Sequence, residues 1–181
     1  MKTTLAAALL LGATSAPAQH PHGHSAPPAS GSPPAPSGYA GMQKRAIKAL
    51  SEQQVEDVRA GKGMALALAA ELNGYPGPLH VLELADRLAL SQAQEHKTRQ
   101  LAAAMQEEAR AIGEQWLAAE AALDRLFRDR SAAPQTVEQA VQHAAQAHGR
   151  LRAAHLRYHL RMTEVLNVEQ IAAYNRLRGY R

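Results

Sequence analysis

One local pattern recurs along this chain and limits its fold more than any other: a small polar residue followed three positions later by glutamine. It stands at Ser51-Glu52-Gln53-Gln54, Ser91-Gln92-Ala93-Gln94 and Asn167-Val168-Glu169-Gln170, each after a leucine, and at Thr136-Val137-Glu138-Gln139 without one. At such a position the Ser, Thr or Asn oxygen accepts from the backbone N–H three residues on. The Gln amide returns to the cap's own N–H, so two orphan donors of a helix start are satisfied. Four helix beginnings are thereby marked. Alanine supplies much of the apolar content, and one Trp, one Phe and five Tyr among 181 residues leave little to fill a pleated surface. The expected fold is all-α.

Helix ends are marked too. Asn73-Gly74-Tyr75-Pro76-Gly77-Pro78 stops one helix and starts another, since Gly suits a left-handed C-cap and Pro a first helical position. Arg130-Ser131-Ala132-Ala133-Pro134 does the same at the next junction. The expected map is an amphipathic segment over 42–60, helices over 63–72 and 79–89, long helices from Gln92 to about Arg128 and from Val137 to about Val165, and a short one over 168–177. Leu90, Leu101, Ile112 and Leu123 recur every eleven residues, with Met105, Trp116 and Phe127 beside them, as in a nearly straight helix. Val137, Ala144, Leu151, Tyr158 and Val165 recur every seven, with Val141, His148, His155 and Met162 in the partner register. The short break between the two makes an antiparallel hairpin. Flanked by short helices, such a hairpin would leave an apolar face open, and an open, cradle-like homodimer is expected.

The amino end reads differently. Lys2, the apolar run Leu5–Leu11 and Ala16-Pro17-Ala18 have the order of a secretory signal peptide over 1–18, cleaved after Ala18. Residues 19–38 are rich in Pro, Ser, Gly and His and carry no charge, so they read as a disordered tether. Within it His20, His22 and His24 alternate, a cluster able to take Zn, Cu or Ni or to be incidental to a solvated tail. The run is too short to span a bilayer, so no stable membrane insertion is expected and the destination is the periplasm. With no cysteine there is no disulfide, thiolate nucleophile or Cys-based metal site. Residues 39–78 would be an amino-terminal helical extension, and 79–181 the hairpin domain.

Leu90-Ser91-x-x-Gln94 opening a long helix, and Leu166-Asn167-x-x-Gln170 opening a short one, resemble the paired LTxxQ motifs of the periplasmic Spy/CpxP superfamily, with Ser and Asn where Thr is usual. That superfamily includes ZraP-like zinc-associated proteins and CnrX-like heavy-metal sensors. The resemblance covers 79–181 and implies an all-α, often dimeric protein of bent hairpins. Its members hold unfolded envelope proteins without ATP, or bind transition metals and report them to a stress system. No catalysis is implied.

The residues themselves point to no enzyme. There is no HExxH, no phosphate loop after a strand and no nucleophile constellation, and the acids are scattered. A client-binding surface would combine Leu101, Met105, Ile112, Trp116 and Leu123 with Arg150, Arg157 and Arg161 of a carboxyl end where seven arginines face only Glu164 and Glu169. The plain alternative is a solvated helix face. His148, His155 and Met162 share a heptad position and His159 lies one turn beyond His155, so His148, His155 and His159 form a candidate metal strip, which His80 and Glu83 could complete. The alternative is that these histidines are hydrogen-bonded seam residues. The leading expectation is a periplasmic, ATP-independent chaperone or envelope-stress adaptor with unfolded envelope proteins and a stress sensor as partners, no nucleic acid partner and no required cofactor. The alternative is a Zn-, Cu- or Ni-binding sensor or resistance protein.

Overall fold

The computed structural model describes residues 37–180. The expected signal peptide and tether histidines His20, His22 and His24 lie outside them. Among the described residues there are helices and turns but no strand: a 3-10 turn Met42–Lys44, then α1 Glu52–Arg59, α2 Leu68–Glu71, α3 Pro78–Glu83, α4 Gln92–Arg128, α5 Pro134–Thr163 and α6 Val168–Arg178. Three of the four expected capping boxes form in full. The side-chain oxygens of Ser51, Ser91 and Asn167 accept from the N–H of Gln54, Gln94 and Gln170, and each glutamine returns to its cap.

The fourth does not. α5 begins at Pro134, three residues before the expected Val137. Proline already has helical φ at a first position, and its missing N–H costs nothing there. Thr136 therefore sits inside the helix, where its hydroxyl accepts from Ala133 N–H at 3.1 Å and donates to Ala133 C=O at 2.9 Å. Two other expected helices are shorter. Met64 and Ala65 stand at φ 41° and 63°, so the 63–72 segment is helical only from Leu68. The 79–89 segment leaves the helix after Glu83, runs through turns and closes with Ala89 at φ 47°.

α4 and α5 are the antiparallel hairpin, as the pairings Gln115–Arg150 and Glu108–Arg157 require. Their turn closes with Ser131 N–H on Leu126 C=O, leaving Arg130 at φ 53° in the place glycine often takes. Small residues let the helices approach: Ala109, Ala147 and Ala154 are fully buried. Gly113 does the same for α1, since a Cβ there would lie 2.6 Å from Val58 Cγ1.

Two apolar clusters hold the remainder together. One joins Val81, Leu88, Leu101, Met105, Tyr158, Met162, Leu166 and Tyr174. The other joins Ile47, Leu50, Val58 and Leu117, with Met64 and Trp116 at its edge. Gly38 to the carboxyl end is one unit, in which α1 packs on α4 and α2 on α5. No helix of the described residues is long and apolar enough to cross a membrane.

Candidate functional site

Glu71 ends α2 at only 5% exposure, the sole acid among the buried residues described. The turn Asn73–Pro78 folds back beneath it, so that α3 brings His80 Nδ1 to 3.2 Å from Oε1. From the far end of the chain, Tyr174 and Tyr180 donate their hydroxyls to the same oxygen, Tyr180 at 3.0 Å, while Arg178 Nε stands 3.6 Å away. Burial is the largest influence on this carboxyl and pushes its pKa up. Hydrogen bonds from His80, Tyr174 and Tyr180, with the His80 charge, outweigh it and bring the pKa down to about 2. Glu71 is thus a carboxylate under all ordinary conditions. Burial, and next the hydrogen bond to Glu71, push the Tyr174 phenol up.

The second carboxylate oxygen is treated differently. Glu71 Oε2 is buried without a hydrogen-bond partner. His159 Nδ1 lies 3.7 Å from it, and that nitrogen already donates to Tyr75 C=O at 2.7 Å. A carbonyl can only accept, so Nδ1 carries a proton there and Nε2 is the nitrogen left for a ligand. One turn earlier on α5, His155 is 2% exposed and its Nε2 is also buried without a partner. Burial, and then His159, push the His155 pKa below 6.5, so its imidazole is neutral at pH 7.

These groups wall one cavity of about 380 Å³, shared with Met64, Met105 and Arg178. Gly77 makes room for it, since a Cβ there would lie 2.9 Å from His159 Cε1 and 3.5 Å from Glu71 Oε2. An ionised carboxylate, imidazoles and thioethers are donors suited to a transition metal. Among the described residues, however, no three His, Asp or Glu side chains already stand where they could hold one ion together.

The sequence-derived sites are partly regrouped. His155 and His159 meet in this cavity, but His148 does not join them: its ring lies 4.6 Å from that of Trp116, farther along the hairpin. His80 pairs with Glu71, and the expected Glu83 instead faces Arg178 at 3.9 Å. Met162 is fully buried in the core.

No known protein family, curated protein or solved structure matches this chain.

The expected client-binding residues divide in the same way. Leu101 and Met105, at 2% and 5% exposure, pack in the core, Met105 also lining the cavity beside Glu71, so neither stands on the open outer face expected of a client-binding surface. They are drawn in because α3 and α6 both close over that end of α4. Ile112, Trp116 and Leu123 are half-buried, and Trp116 and Leu123 line a shallower groove of about 210 Å³ with Val141 and His148. Arg150, Arg157 and Arg161 are exposed, but each is engaged: Arg150 with Gln115 at 3.0 Å, Arg157 with Glu108 at 2.8 Å, and Arg161 over the Tyr158 ring at 5.3 Å.

Sequence reasoning missed Glu71, Arg178, Tyr174 and Tyr180. Glu71 had a signal, as the one acid in the run Met64–Leu72, just before a Gly/Pro turn. The tyrosines had none, because their role depends on α6 folding back over α2.

Proposed function

We propose that this chain binds a transition-metal ion in the cavity between Glu71, His155 and His159, as a heavy-metal sensor or resistance protein of the periplasm. The observation that carries the reading is the pair of buried, unpartnered ligand atoms on one cavity, Glu71 Oε2 and His155 Nε2. Leaving such atoms unsatisfied is costly for folding, and a bound cation offsets it, by ligation at His155 Nε2 and by its charge at Glu71 Oε2. The neutral state of His155 spares the ion a competition with protons. His20, His22 and His24 would be a second, looser site. Calorimetric titration of the full chain with Zn, Cu and Ni tests this: His155→Ala and His159→Ala should each weaken binding, whereas His148→Ala should not. Unchanged affinity in both of the first two variants would leave only the tail.

A second reading is favoured by the groove beside Trp116. There Leu123 and Val141 stay accessible, and Arg150 is exposed on the same hairpin, an arrangement suited to weak holding of unfolded envelope proteins without ATP. The resemblance to the Spy/CpxP superfamily rests on two cap motifs whose glutamines bond to each other, which gives the pair a joint structural role. A homodimer and a stress-sensor partner belong to the same proposal. Suppression of client aggregation in low and moderate salt, with a mass measurement for the dimer, tests it.

A further inference from the structure

The cavity beside Glu71 also carries information about which ion it takes, if it takes one as proposed above. Two methionines line it, Met64 from the turn before α2 and Met105 from α4. In a chain without cysteine, thioethers are the only sulfur donors. Met64 reaches the cavity from a backbone at φ 41°, followed by Ala65 at φ 63°. Two successive non-glycine residues in the left-handed region are an uncommon and strained arrangement, of the sort that persists where the surroundings over-determine it. That turn also sets Gly63 against His155, where a Cβ would be 3.9 Å from Nδ1.

We infer that the ion is monovalent, thiophilic copper, Cu(I), bound by His155 Nε2 with the thioether sulfurs of Met64 and Met105, and that Glu71 stands behind this site as a partner in its outer shell. Three features favour this over a divalent ion in a carboxylate and imidazole cage. No three His, Asp or Glu side chains among the described residues stand ready to form such a cage. Glu71 Oε1 is already engaged by His80, Tyr174, Tyr180 and, at 3.6 Å, Arg178, so the carboxylate is less available to an ion than the imidazole and thioether donors. Thioether and imidazole together are the soft set that selects Cu(I) over Zn or Ni.

The test is competition for Cu(I), kept reduced under anaerobic conditions, between the full-length chain and the chromophoric chelator bicinchoninate. Zn(II) and Ni(II) titrations run in parallel. One Cu(I) should bind in a manner insensitive to replacing His20, His22 and His24, and Met64→Leu with Met105→Leu should weaken it by about tenfold or more. Leucine keeps the volume, so helix content and unfolding midpoint should hold. In the methyl NMR spectrum the two thioether methyls of Met64 and Met105 should shift on Cu(I) addition while that of Met162 stays in place. Zn(II) or Ni(II) binding that depends on His155, with Cu(I) binding indifferent to the methionines, would overturn this inference while leaving the metal-binding reading intact. If no ion responds to His155→Ala, both fall.

Discussion

The side-chain amides of Gln94 and Gln170 clasp each other. Each Nε2 donates to the other's Oε1, at 2.8 and 3.1 Å, and spends its second hydrogen on a turn carbonyl, Val165 for Gln94 and Leu88 for Gln170. Each Oε1 also accepts its own cap's N–H, from Ser91 and from Asn167. Two helix caps far apart in sequence are thus one hydrogen-bonded unit in which both amides are fully used. This unit pins α6 to the start of α4, and so holds Tyr174, Arg178 and Tyr180 over Glu71.

Replacing either glutamine by alanine should remove one cap and orphan the partner's groups, at about 1–3 kcal/mol of unfolding free energy. The two losses should not add. A double-mutant cycle in urea should give a coupling of roughly 1 kcal/mol, and strict additivity would mean the clasp contributes nothing.

Leu101 and Trp116 share one helix and should separate core from surface. Leu101→Ala should cost about 2–5 kcal/mol, as a buried leucine does. Trp116→Ser should cost less and, if the groove holds clients, should lower aggregation suppression at a temperature where the chain stays folded. The reverse ranking in thermal melts would place the core elsewhere.

Stability should fall from neutral to acid pH in two stages. The folded pKa of His155 lies below 6.5, so below that value the unfolded chain takes up a proton that the folded chain refuses. The Glu71 carboxyl drops from 4.5 unfolded to about 2 folded, so the stability it adds is complete above 4.5 and is lost as the pH falls towards 2. That second stage is on the order of 3 kcal/mol. Urea unfolding at pH 7, 5 and 3 reads both stages, and Glu71→Gln should flatten the second.

Gly77→Ala should disturb the cavity without straining the backbone, whose φ there is −86°. The new Cβ would lie 2.9 Å from His159 Cε1 and 3.1 Å from Nε2, forcing that ring to move. We expect a loss of about 1–3 kcal/mol in stability and a fall in metal affinity of about tenfold. Unchanged affinity would remove His159 from the site.

The helix starts were legible because capping is local: Ser51, Ser91 and Asn167 act on residues three away, and nothing distant alters that. The long seam was legible in part for a related reason, since Ala144, Leu151, Tyr158, His155 and Met162 are buried as their seven-residue spacing implies, whereas Val141 of the same pattern is 47% exposed and Val137, His148 and Val165 are half-buried. Thr136 misled because Pro134 competes for the same helix start and prevails. The burial of Leu101 and Met105 was invisible, because it depends on α3 and α6 closing over them. The candidate site was half legible. His155 and His159 follow from one helix face, whereas Glu71, Tyr174 and Tyr180 meet only through folding contacts between residues about a hundred apart in sequence.

The central claim is that the cavity beside Glu71 is a metal site. Crystals of the full chain grown with the metal, measured on both sides of its absorption edge, test it most directly. An anomalous peak is expected within ligating distance of His155 Nε2, lost in His155→Ala. Anomalous signal confined to the amino-terminal histidines or to His148, with the cavity beside Glu71 empty, would contradict it.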